Sequence, residues 1–186
     1  MTGYASQLLP SANHPPRAIG PAGERDRWLL QINAQSTLVL PEPGSMDAPG
    51  GLTLPVGTEQ LAARWLRGNP PTLLQIEQAI EVIEDAVMPA RARLPAALQL
   101  ATRDPHAHAL RTLTTGPGAA EAAGAVAGDW LGIAAVEQLF DRLAARAAGR
   151  PAAHDALPVD GASAARLLIL RELLHHWGLP GVALIG

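Results

Sequence analysis

Residues 51–83 read GLTLPVGTEQLAARWLRGNPPTLLQIEQAIEVI, and the fold turns on them. An apolar run at 51–54 has the composition of a short strand and breaks at Pro55 and Gly57. A short helix is expected over 58–67, interrupted by Pro70-Pro71. Thr72 and Gln75 then form a capping box for a long helix over 72–88, in which Leu73, Ile76, Ile80, Ile83 and Val87 share one face. Pro89 blocks its continuation.

Two further strand candidates precede this segment, WLLQI at 28–32 and STLVL at 36–40, and together the three suggest an antiparallel meander. After it, ALQLAT at 97–102 is a fourth strand candidate, placed where a parallel crossover strand belongs. Residues 119–127 read as a small-residue helix or loop. Residues 133–148 carry Ile133, Val136, Phe140, Leu143 and Ala147 at helical spacing, closed by Gly149. Asp160 is positioned to cap a last helix reaching Trp177, whose run LLILRELL is apolar on almost every side and implies deep burial. Gly178 ends that helix ahead of a final strand, GVALIG. Five strands with crossover helices make an α/β domain with a mixed sheet, the ribonuclease-H-like plan. Residues 27–186 are expected to form one domain, and the Pro- and Gly-rich residues 1–26 a flexible arm.

Composition narrows the functions. The chain has 186 residues and a net charge of -3, which supplies no field to gather nucleic acid. No run approaches the roughly 20 apolar residues that span a bilayer, and no secretory signal is evident, so the expected location is cytoplasmic without a membrane partner. There is no cysteine, which removes disulfides, thiol catalysis and Cys-based zinc sites. All 14 basic residues are arginine, so Schiff-base chemistry and a P-loop lysine are excluded as well.

The succession Leu54-Pro-x-Gly57, Arg64-x-Leu66 and Pro70-Pro71-Thr72 resembles the stretch after the phosphate-binding hairpin in the exopolyphosphatase and guanosine pentaphosphate phosphatase (Ppx/GppA) family, which has the actin-like ATPase fold. The resemblance covers about residues 28–186 and corresponds to the second domain. It implies a hairpin of the form Asp-Ile-Gly-Gly-Gly-Ser-Thr, with glycines that wrap backbone around phosphate and an aspartate that helps hold metal. This chain has Gln31-Ile32-Asn33-Ala34-Gln35-Ser36-Thr37 instead. A second family turn, Gly-Gly-Thr after the fourth strand, corresponds to Thr102-Arg103-Asp104-Pro105, where proline offers no amide hydrogen. The family's catalytic glutamate belongs to a first domain, for which residues 1–26 are too short.

The vestigial phosphate-loop candidates are thus Gln31, Asn33, Ser36, Thr37, Thr102 and Arg103, with no catalytic residue and no metal ligand among them. The expected function is a non-catalytic binding or interaction module. The alternative is a Mg²⁺-dependent phosphohydrolase acting on polyphosphate or guanosine pentaphosphate, with the missing half of its cleft supplied by a second subunit. A homodimer or another protein partner is expected, with apolar Trp28, Leu38, Leu52, Trp65 and Trp130 offering surface to cover. A phosphate-containing ligand is a further option.

Other chemistry has plainer readings. His106-x-His108 with Asp104 has the makings of a metal site but reads better as a polar surface loop. His175-His176 suits the C-terminal carbonyls of the last helix, and Glu84-Asp85 suits a solvated helix face. Arg64 and Arg67 beside Trp65 read as a solvated helix side, and Thr114-Thr115-Gly116-Pro117-Gly118 as a turn.

Overall fold

The computed structural model describes residues 27–42, 50–114, 130–151 and 155–186. The arm at 1–26, the small-residue segment at 119–127 and most of the turn at 114–118 lie outside them. Among the described residues six strands form one mixed sheet: β1 (Arg27–Ile32), β2 (Thr37–Pro41), β3 (Leu52–Leu54), β4 (Gln99–Thr102), β5 (Trp130–Gly132) and β6 (Gly181–Leu184). Their order is β3-β2-β1-β4-β6-β5. The meander β1-β2-β3 is antiparallel, β1, β4 and β6 run parallel, and β5 returns antiparallel along β6.

The register explains which side chains make the core. Trp28 pairs with Leu100, Leu100 with Val182, and Val182 with Leu131, so one buried row crosses four strands on a single face. Leu30, Val39 and Leu52 continue the same face through the meander. Alternation along each strand does the sorting, since neighbouring residues point to opposite faces. Trp28 and Leu52 are therefore core residues, which corrects the expectation that they form an exposed patch. Trp65, Trp130 and Leu38 are half-buried.

The fifth strand of the expected set is in fact the sixth. β5 is three residues long and immediately precedes a helix, too short for alternation to register, and its pairing partner lies some fifty residues away in sequence.

Among the described residues five α-helices accompany the sheet: α1 (Thr58–Arg64), α2 (Leu73–Val87), α3 (Pro105–Thr112), α4 (Ile133–Ala147) and α5 (Gly161–His176). The capping box on α2 forms as read, with Gln75 N–H donating to Thr72 Oγ1 at 3.3 Å and Thr72 N–H donating to Gln75 Oε1 at 3.0 Å. Beyond Met88 the chain tightens into a 3-10 turn at Pro89–Arg93. Helix α3 replaces the loop expected around His106 and His108. Asp104 followed by Pro105 is a helix start, because an Asp side chain caps and proline needs no amide at the first position.

Helix α5 packs against α1, α2 and α4. Ala164, Ala165, Leu167, Leu168, Ile169, Leu170, Leu173 and Leu174 are all buried on it, as the run of apolar residues predicts. Gly178, at φ +65°, turns the chain out of the helix in the left-handed conformation that favours glycine. Trp177 Nε1–H donates to the Val87 carbonyl at 3.0 Å and ties the ends of α5 and α2 together. Leu170→Asp places an unpaired charge at a position 2 % exposed and is expected to cost on the order of 3 kcal/mol or more. A urea denaturation midpoint that barely moves would show that α5 is not the centre of the core.

Candidate functional site

Strands β1 and β4 are parallel neighbours, and the chain leaves them toward opposite sides of the sheet. In α/β sheets such a divergence opens a crevice beyond the carboxyl ends of the strands. A cavity of about 390 Å³ lies there, lined by the end of β1 from Leu29 to Asn33, by Arg103, Asp104, Pro105 and His106 at the start of α3, and by Arg166 of α5.

Three helices begin at this end of the sheet, and each meets its acceptors inside the chain. At α1, Thr58 N–H donates to the Asn33 carbonyl at 3.0 Å, and Glu59 and Gln60 donate to Ala34 at 3.0 and 3.1 Å. The β1–β2 hairpin thus turns carbonyls, not amides, toward the helix. Gly57 permits this approach, since a Cβ there would meet the Ala34 oxygen at 2.5 Å. The hairpin itself closes with Asn33 N–H donating to Ser36 O at 3.0 Å, and none of its residues takes a positive φ.

At α3, His106 N–H donates to Asp104 Oδ1 at 2.9 Å. The other carboxylate oxygen, Oδ2, receives Arg166 Nη1, and the same nitrogen donates to the Ile32 carbonyl at 3.1 Å. At α5, Asp160 Oδ1 accepts from Ala162 and Ser163 N–H at 3.1 and 3.0 Å, and Ser163 Oγ donates to Oδ2 at 2.7 Å. Burial opposes the ionised form of Asp160, yet the hydroxyl and amides of Ser163 and the amide of Ala162 outweigh it and hold the carboxyl below its usual range. A helix N-terminus attracts an anion through its unpaired amides and dipole. Here the chain's own aspartates take that position on α3 and α5.

The six phosphate-loop candidates separate accordingly. Gln31, Asn33 and Arg103 line the cavity. Thr37 and Thr102 are buried and committed to backbone, Thr37 Oγ1 donating to Val56 O at 2.8 Å and Thr102 Oγ1 to Leu30 O at 2.9 Å. Thr102 Oγ1 also accepts from Asp104 N–H at 3.1 Å. Ser36 is half-buried in the hairpin and does not reach the cavity. Arg103 Nη1 donates to the Gly186 carbonyl. Arg166 is the residue that the sequence leaves unmarked, since it sits inside a helix read as apolar.

The less favoured reading of His106 and His108 as a pair of metal ligands does not fit the helix they lie on. Two residues apart on a helix, they point about 200° around its axis from each other, and Asp104 is engaged by Arg166. Mg²⁺ does not fit the cavity either. It needs a near-octahedral set of oxygens with one or two free carboxylates, and the one carboxylate lining the cavity already bonds an arginine and an amide.

No protein-family model matches this chain, and no curated protein matches it. Solved structures do. An Aquifex aeolicus Ppx/GppA phosphatase superposes with a TM-score of 0.61 at 14% identity, over 87% of this chain and 53% of that one. An exopolyphosphatase from Cytophaga hutchinsonii gives 0.59 at 12% identity, over 88% and 54%. An exopolyphosphatase-like protein gives 0.52 at 18% identity, over 86% and 54%. The chain spans about half the length of these proteins.

Asp104→Asn keeps a capping oxygen but removes the charge that neutralises Arg166. The variant is expected to lose about 1–2 kcal/mol of stability, intermediate between exposed and buried pairs. It should bind tripolyphosphate more tightly than the parent in low-salt calorimetry, by roughly fivefold or more. Adding Arg166→Gln should cancel the gain. Equal affinity of parent and Asp104→Asn would show that the aspartate does not close the site. The chain therefore shares the α/β fold of the Ppx/GppA and exopolyphosphatase structures over about half of their length.

Proposed function

We propose that this chain is a non-catalytic counterpart of the second, actin-like domain of the Ppx/GppA family, acting as an interaction module. The observation that carries this reading is the internal neutralisation of the phosphate end. Asp104 and Asp160 cap the helices that would receive an anion, and Arg166 is spent on Asp104 and the Ile32 carbonyl. Phosphoryl transfer depends on positioned cations and amides that take up developing charge, more than on covalent chemistry. A site whose Arg166 and first α3 amide are already paired, with Arg103 turned to the Gly186 carbonyl, offers the transition state little.

The hairpin supports the same reading. Gln31 is exposed at the cavity but carries no charge, and Ala34 and Gln35 bring side chains to a turn where glycines would let backbone close on phosphate. The partner is proposed to be a protein, either a second copy of the chain or another one, with the half-buried Trp65 and Trp130 among the surfaces available for contact.

Phosphate release from polyphosphate and from guanosine pentaphosphate, with and without Mg²⁺, is expected to stay at the buffer blank. Restoring the loop with Gln31→Asp, Asn33→Gly, Ala34→Gly and Gln35→Gly should raise polyphosphate affinity and still give no turnover. Release by the unmodified protein above the blank, abolished by Arg166→Gln, would overturn the non-catalytic reading in favour of a phosphohydrolase.

A further inference from the structure

We propose that Glu84, Glu172 and His176 form a binding site for one divalent transition cation, with Zn²⁺ the best match to the donors. The three residues meet where the C-terminal half of α2 packs on the end of α5, with Glu172 about 9 Å and His176 about 15 Å along α5 from Arg166, and none of them lines the cavity. Glu172 and His176 are four residues apart on α5 and share a face. His176 Nε2 lies 3.0 Å from Glu84 Oε1 and 3.3 Å from Glu172 Oε2, and the three donor atoms all fall within 4.8 Å of one another. Ligands held at about 2.0–2.1 Å around a tetrahedral Zn²⁺ sit about 3.3 Å apart. The cluster needs little movement to reach that geometry.

Outer contacts hold the ligands in place. Glu172 is 1 % exposed, and its other oxygen, Oε1, accepts from Arg171 Nη1 at 2.5 Å, which leaves Oε2 facing His176. Arg171 is fixed in turn by Glu137 Oε2 at 2.9 Å and by the Phe140 ring, 4.2 Å from its guanidinium carbon. Burial works against the charge on Arg171, but hydrogen bonds to Glu137 and the charge of Glu172 raise its pKa further above the usual value. Such supporting shells orient metal ligands in proteins.

Charge points the same way. The cluster holds three carboxylates, Glu137 and Glu172 on Arg171 and Glu84 beside His176, against one guanidinium, so the group carries a net negative charge when His176 is neutral. One imidazole and two carboxylates suit Zn²⁺, with water completing the set on the exposed side. They suit Mg²⁺ and Ca²⁺ poorly, since those ions take oxygen ligands throughout. The bland competitor is a protonated His176 donating to both carboxylates.

The test uses the full chain stripped with EDTA and titrated with ZnCl₂ by calorimetry and by competition with a chromophoric chelator. One equivalent should bind and raise the melting temperature, and MgCl₂ should do neither. Loss of a single outer-shell partner weakens metal sites roughly 10–100-fold, so His176→Gln and Glu84→Gln should each weaken binding at least about tenfold. Circular dichroism checks that both variants are folded, and Glu84 is partly exposed, so its change leaves the core intact. The double variant His106→Gln/His108→Gln should keep the one-equivalent binding. Absence of saturable Zn²⁺ binding, or full binding in folded His176→Gln and Glu84→Gln, overturns the proposal and leaves the imidazolium bridge.

Discussion

Helix α5 is surrounded by apolar packing on nearly every side, and Arg166, Arg171, Glu172 and His176, which are buried or half-buried on it, must find partners there. An unpaired charge in such surroundings costs several kcal/mol, so the chain around α5 is arranged to supply partners. Arg166 takes the Asp104 carboxylate and the Ile32 carbonyl. Arg171 takes Glu137 and Glu172, and His176 takes Glu84 and Glu172. These contacts tie α5 to β1, to the start of α3, to α4 and to α2. One constraint therefore produces two polar clusters along the same helix.

The two ends have different chemical characters. Near the start of α5, Arg166, the Asp104 carboxylate and the first amides of α3 satisfy one another, and Arg103 donates to the Gly186 carbonyl. Toward its end, carboxylates outnumber the guanidinium, and the surplus is negative. Where Asp104, Arg166 and the first amides of α3 converge, they bond one another. The remaining demand for charge lies about 9–15 Å along the helix from Arg166 and has the opposite sign.

Local patterns were readable from the sequence wherever the physics is local. The capping box at Thr72 and Gln75 and the alternation in β1 and β2 depend on residues within a few positions of one another. The Asp160 cap is equally local, and the burial of α5 follows from its composition. The actin-like resemblance rested on the short succession from Leu54 to Thr72. What escaped depends on distance in the chain. Arg166 meets Asp104 across 62 residues and His176 meets Glu84 across 92, so no spacing rule reveals either pair. Glu84 accordingly read as solvated, although it is half-buried beside His176. Strand β5 is specified by β6 more than by its own three residues. Helix α3 is a different case, because Asp104-Pro105 is a local start motif that the two flanking histidines overshadowed.

The central claim is that the first amides of α3, at the cavity, and of α5, the helix that carries Arg166, are already satisfied by the chain's own carboxylates. Amide chemical shifts of His106, Ala162 and Ser163, followed by NMR while tripolyphosphate is added at low salt, test it directly. The account predicts that these three resonances stay in place up to millimolar ligand. Saturable shifts of all three at micromolar concentration would contradict it and show that the site remains open to phosphate.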